Sequence, residues 1–141
     1  MTQWVVLDTN VLVSGLMRPD SIPNQLLLQA VAGRFLLLTS PALLAELDRV
    51  LRYPKLAVAF PDPSSVVARI QRVASVVVPV GRLTAARDEA DNRVLETAVA
   101  GRADAIVTGD RGLLAVGRNY ARIPLLTLRQ FADLLEHESP S

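Results

Sequence analysis

The sequence predicts an α/β domain built on a mostly parallel sheet. Short β-branched or leucine-rich runs alternate with helical patterns along 141 residues, the order expected of strand–helix–strand units. The first run, Trp4-Val5-Val6-Leu7, is continuously apolar, as strands covered on both faces of a parallel sheet are. No internal repeat, low-complexity tract or long linker divides the chain. One domain is therefore expected over residues 1–136, with a short tail at 137–141.

Each later element has a local reason. Ser21-Ile22-Pro23 opens a helix, with Ser21 as N-cap and Pro23 in the first turn, and Gly33 closes it. Phe35 to Leu38 is the second strand. Ser40-Pro41 starts another helix whose apolar stripe is Leu43, Leu44, Leu47, Val50 and Leu51, ended by Pro54. Pro61 and Pro63 bracket a turn before a helix over Ser64–Ala74, and Val76-Val77-Val78 is a third strand. A helix from about Glu89 to Arg102 precedes the strand Ala105 to Thr108. Leu125-Leu126 is a last short strand, and Thr127 with Gln130 forms a capping box for the final helix.

Composition excludes several classes. Half of the residues are hydrophobic, far too many for a disordered chain. That excess also points to apolar surface covered by a partner or a second copy. No apolar run reaches the ~20 residues a bilayer crossing needs, and no secretory signal pattern opens the chain. Without cysteine there is no disulfide, thiol nucleophile or Cys-ligated metal, which fits a cytoplasmic location. The only histidine, His137, sits near the end, so neither a His-dependent ribonuclease mechanism nor a Ser-His-Asp hydrolase is expected. Net charge is only +1, but four of the 14 acids are singled out below. The remaining ten face 15 cations, a surplus of five, so a basic surface would surround an acidic pit.

Four carboxylates stand out by position. Asp8 directly follows the first strand and Asp110 follows the strand ending in Thr108, and ligands of parallel sheets bind beyond the carboxyl ends of strands. An Asp there also starts turns or caps helices. Glu46 flanks the buried stripe of its helix, where the bland alternative is a rim Glu paired with arginine. Asp91 shares a helical face with Val94 and Leu95, although acids are favoured at helix N-termini anyway. Asp88 and Glu89 are weaker candidates because solvent reaches them more easily. Four carboxylates in one place need a counter-cation, and an oxygen-only set without Cys or His selects Mg²⁺ or Mn²⁺ over zinc. Such a site suits hydrolysis of a phosphodiester.

Those residues lie in segments that resemble the motifs of PIN-domain proteins: Val5-Val6-Leu7-Asp8-Thr9-Asn10, Leu44-Ala45-Glu46-Leu47, Asp88 to Ala98, and Ile106-Val107-Thr108-Gly109-Asp110. The order and spacing extend from about Val5 to Leu135, and the subgroup most similar is the VapC-like toxins of bacterial toxin–antitoxin systems. The resemblance implies a three-layer α/β/α PIN-like domain with a central, mostly parallel sheet. It implies an endoribonuclease with bound Mg²⁺ or Mn²⁺, often a homodimer, neutralised by a small antitoxin protein, and leaving a 3′-hydroxyl and a 5′-phosphate. Asp8, Glu46, Asp91 and Asp110 would be the catalytic, metal-holding quartet, with Asn10 and Thr108 as supporting polar groups. Many relatives carry another Asp where this chain has Gly112, which puts a second metal ion in doubt.

Other readings are weaker. A haloacid dehalogenase-like phosphatase needs a second Asp where Asn10 stands, and a receiver domain needs a lysine near its last strands, whereas the only lysine is Lys55. The serious alternative is a PIN-like module that binds RNA or an antitoxin and cleaves little. Aromatic residues are only 4%, so such binding would rest on arginines such as Arg18, Arg49, Arg52, Arg87 and Arg111 rather than on stacking.

Overall fold

A computed structural model describes residues 3–138. In chain order the elements are β1 (Trp4–Leu7), α1 (Thr9–Met17), α2 (Ile22–Val31), β2 (Leu36–Thr39), α3 (Pro41–Leu51), α4 (Pro54–Ala57), α5 (Pro63–Val73), β3 (Ser75–Val76), α6 (Glu89–Ala100), β4 (Ala105–Val107), α7 (Arg111–Leu114), β5 (Asn119–Tyr120), β6 (Ile123–Leu126) and α8 (Leu128–Glu138). They form one six-stranded sheet in the order β3-β2-β1-β4-β6-β5, parallel throughout except for β5.

The alternation of side chains along each strand feeds two cores. Val5, Leu7, Leu37 and Val107 pack with residues of α1, α2, α3, α5 and α8 on one face. Val6, Leu38 and Ile106 pack with Val94, Leu95 and Ala98 of α6 and Leu113 of α7 on the other. This is the expected three-layer arrangement. On the first face Phe131 meets Phe35 edge-on, with ring centroids 5.1 Å apart. Gly15 lets α1 and α2 approach closely: a Cβ there would stand 2.9 Å from the carbonyl oxygen of Pro23.

Most helix starts follow their capping residues. Ser21 accepts from the backbone of Asn24 and Ser40 from that of Leu43. Thr127 and Gln130 exchange the two hydrogen bonds of the expected capping box. The differences from expectation lie elsewhere. Thr9–Met17 is a helix that the apolar pattern does not announce. The third strand is only Ser75–Val76, because it pairs on one side alone, and Val78 beyond it is 72% exposed. The last strand begins at Ile123, in a hairpin whose turn residues Ala121 and Arg122 both take positive φ. α8 runs through Glu138, so the expected tail begins inside that helix, and residues 139–141 lie outside the described residues.

Among the described residues no helix is long and apolar enough to cross a membrane. Part of the apolar excess is at the surface. A groove of about 510 Å³ between α2 and α5 is lined by Leu27, Leu28, Val31, Ile70 and Val73, with Arg69 and Arg72 beside them.

Candidate active site

Adjacent parallel strands deliver the first two carboxylates. β1 and β4 are neighbours with Leu7 opposite Val107, so the residues leaving their carboxyl ends emerge side by side. Asp8 follows β1 and caps α1, its Oδ1 accepting from the backbone N–H of Val11 at 3.0 Å. Asp110 caps α7, its Oδ1 accepting from the backbone N–H of Gly112 at 2.6 Å. The buried Thr108 hydroxyl joins the two acids. It donates to Oδ2 of Asp8 and accepts from the backbone N–H of Asp110 at 2.9 Å. Capping therefore describes both residues, and it also aims them: each carboxyl is held by a helix start at the same sheet edge.

The helices supply the others. Glu46 is half-buried on α3, and Asp91 is buried in the first turn of α6. Asp8, Glu46, Asp91 and Asp110 all line one depression of about 120 Å³, together with Thr9, Asn10, Ala90 and Val94. Asn10 is exposed there. A fifth acid joins them. Asp88 is exposed and caps α6 through the backbone N–H of Ala90, as an N-terminal Asp does, yet it also lines the depression. Its neighbour Glu89 instead pairs with Arg93.

Burial, with neighbouring acids adding to it, raises the pKa of three of these carboxylates. Burial lifts Asp8 above its ordinary value, against the hydrogen bonds from Thr108 and Val11, and the charge of Asp110 adds to the rise. Burial also lifts Glu46; Arg49 opposes this, while Asp8 and Asp88 reinforce it. Asp91 is pushed up to about 6 by burial, then by Asp110, Asp88, Asp8 and Glu46. Asp8, Glu46 and Asp91 thus each feel the field of neighbouring acids.

Folding raises the Asp91 pKa from 3.8 to about 6, so the folded form takes up protons between those values. Its destabilising effect is absent below about pH 4 and complete above about pH 6. Asp91→Asn is therefore expected to stabilise the metal-free protein at pH 7 by ~1 kcal/mol, allowing for screening, or roughly 3 °C. Little change is expected at pH 4. Thermal melts in chelator at the two pH values check this.

The donor chemistry fits a hard divalent cation. All the ionisable groups lining the depression are carboxylates, and their mutual repulsion is relieved by positive charge. Among the described residues no three acidic or histidine side chains close into a ready-made cage. Mg²⁺ usually keeps several of its waters, so a depression of about 120 Å³ suits it without such a cage.

Two residues that sequence reasoning missed hold one wall in place. Asn92 accepts from the backbone N–H of Ala86 at 2.8 Å and donates to the carbonyl of the same residue at 3.0 Å. Glu96 accepts from the backbone N–H of Leu83 at 2.8 Å and pairs with Arg93 at 2.7 Å. Both are buried, so α6 pins the segment leading into Asp88 and its own first turn. The available signal was a polar pair four residues apart beside Val94 and Leu95, on a helix too buried to leave them in solvent.

Comparison with known proteins adds a family. A family model described as a PIN domain matches residues 4–112. The uncharacterized protein MJ1680 of Methanocaldococcus jannaschii is 31% identical over 115 residues, which cover 79% of this chain and 74% of that protein. Two solved structures have similar folds. A chain of VapBC2 from Rickettsia felis, bound to a DNA fragment from its promoter, superposes with a TM-score of 0.60 at 18% identity. That match covers 88% of this chain and 98% of the other. PAE2754 from Pyrobaculum aerophilum superposes with a TM-score of 0.61 at 12% identity, covering 97% and 91%.

Proposed function

The chain belongs to the PIN-domain family, whose members are generally nucleases, and on that premise we propose that it is an Mg²⁺- or Mn²⁺-dependent endoribonuclease, the toxin of a toxin–antitoxin pair. One observation carries the reading: five carboxylates, two of them from adjacent strand ends, share a single small depression. A phosphodiester is itself an anion, and such a depression would repel it unless a cation lay between them.

Asp8, Glu46, Asp91 and Asp110 would hold the ion. When bound, it supplies Lewis acidity toward water and the phosphate oxygens. The rest falls to the chain. Thr108 and the N–H of Val11 fix the Asp8 carboxyl, and the N–H of Gly112 fixes Asp110, so neither reorganises as charge develops. The exposed Asn10 amide orients substrate at the rim. Arg52 is held by Asp48 at 3.0 Å, which leaves Arg18, Arg49, Arg87 and Arg111 exposed and without ion pairs among the described residues. These four would contact RNA phosphates and make binding salt-dependent.

The partners follow from the surface. The groove between α2 and α5 leaves Leu28 61% and Val31 67% exposed beside two arginines, which suits an apolar segment of an antitoxin carrying acidic residues. The fold it shares with a chain of the VapBC2 complex supports that partner. A homodimer and a cytoplasmic location belong to the same reading.

The test is cleavage of a mixed-sequence single-stranded RNA, beside single-stranded DNA of the same sequence, with Mn²⁺, with Mg²⁺ and with chelator. Metal-dependent cutting of the RNA alone is expected. Equal background in every lane, with RNA still bound at low salt, would overturn cleavage in favour of a binding module.

A further inference from the structure

Two hydroxyls deep in the molecule tie α3, which carries Glu46, to α6, which carries Asp91. Ser40 caps the start of α3, Thr97 lies on α6, and both are fully buried. Their side-chain oxygens stand 2.7 Å apart. Each hydroxyl has one proton, and its neighbours decide where that proton goes. Thr97 Oγ1 is 2.8 Å from the carbonyl oxygen of Arg93, which can only accept, so Thr97 donates there. Ser40 must then donate to Thr97, while its own oxygen accepts from the backbone N–H of Leu43 at 3.4 Å. The three bonds run in one direction, from the first turn of α3 into α6.

Both ends of this chain of bonds lie next to the site. Leu43 precedes Glu46 by three residues and Arg93 follows Asp91 by two, and those two acids line the same depression. Apolar packing alone would hold the helices less strictly. Leu43 shares a core with Val94, Leu95 and Ala98, but hydrophobic contact is non-directional, whereas a hydrogen bond fixes both distance and angle. Resting on the metal-site reading above, we infer that Ser40 and Thr97 are positioning residues, whose hydroxyl pair sets α3 against α6 and so fixes the spacing of Glu46 and Asp91 around the cation. Neither residue lines the depression itself, so both act through their helices. Mg²⁺ demands near-ideal geometry at ~2.1 Å, and a small slide of one helix past the other is enough to weaken its hold.

Calorimetric titration of the full chain with Mg²⁺ and Mn²⁺ tests this in the parent, Thr97→Val, Thr97→Ser and Phe131→Leu, well below every melting temperature. Valine keeps the branched shape of threonine and removes the hydroxyl, leaving Ser40 without its acceptor. Phe131 lies in the core on the other side of the sheet from α6, so Phe131→Leu is the control for lost stability alone. Thr97→Val and Phe131→Leu are both expected to melt below the parent. Only Thr97→Val should lose affinity, about three- to tenfold for both ions, and Thr97→Ser should bind as the parent does. Parent-like affinity in Thr97→Val would overturn the inference and leave the metal-site reading standing. A comparable loss in Phe131→Leu would overturn it too, since general loosening would then be the cause. So would an equal loss in Thr97→Ser, which would assign the effect to the methyl group. A parent that binds neither Mg²⁺ nor Mn²⁺ would overturn both the inference and the reading beneath it.

Discussion

Asp8→Asn and Asp110→Asn are each expected to lower RNA hydrolysis about a thousandfold while leaving the fold intact. A thousandfold corresponds to ~4 kcal/mol of transition-state stabilisation, the scale a metal-dependent site loses when its charge balance fails. Asparagine is the informative replacement because both acids also cap helices. Asn caps about as well as Asp, so the bonds from Val11 to residue 8 and from Gly112 to residue 110 can persist. Alanine would remove cap and charge together. At position 8 the neutral amide also avoids the desolvation that raises the Asp8 pKa, so the metal-free variant should melt at or above the parent temperature. Single-turnover cleavage in Mn²⁺ beside a melt in chelator separates the two roles. Parent-like cleavage by either variant would reduce that residue to a cap.

What the sequence showed of this site followed from where the acids sit. Asp8 and Asp110 were legible because continuously apolar strands place the next residue at a known edge of a parallel sheet. Glu46 and Asp91 were legible from helical spacing beside buried leucines and valines. Asp88 was obscured because an acid that solvent reaches easily needs no site to explain it; it is exposed and caps α6, yet it also lines the depression. α1 was hidden for a different reason. Val11, Leu12 and Val13 are all buried, so no polar face marks the helical period, and its one start signal, Asp8, already had a role. The three consecutive valines at 76–78 look like a buried strand, but strand character in sequence cannot tell the sheet's centre from its edge. The hairpin into β6 lacked turn chemistry altogether, since Ala121 and Arg122 occupy positions where glycine or asparagine is usual.

Asn92→Leu is expected to cost about 2–4 kcal/mol of stability, although leucine has the same heavy-atom branching and is a better helix former. Asn92 is buried and meets both backbone polar groups of one residue, accepting from Ala86 N–H and donating to Ala86 C=O. Leucine would leave both groups unpaired where Ala86 itself is buried, at ~1–3 kcal/mol each, less what added apolar contact returns. At this chain length that is a fall in melting temperature of very roughly 10 °C. Asn92→Asp is the discriminating companion. It keeps the acceptor for Ala86 N–H, loses the donor to the carbonyl, and places another negative charge near Asp88 and Asp91, so it should melt lower at pH 7 than at pH 5. If the segment at 83–86 is what holds Asp88 and the first turn of α6, both variants should also lose affinity for Mn²⁺ when assayed well below their melting temperatures. Melting curves indistinguishable from the parent would mean that Ala86 finds water instead, and that the wall of the depression stands without α6's grip on it.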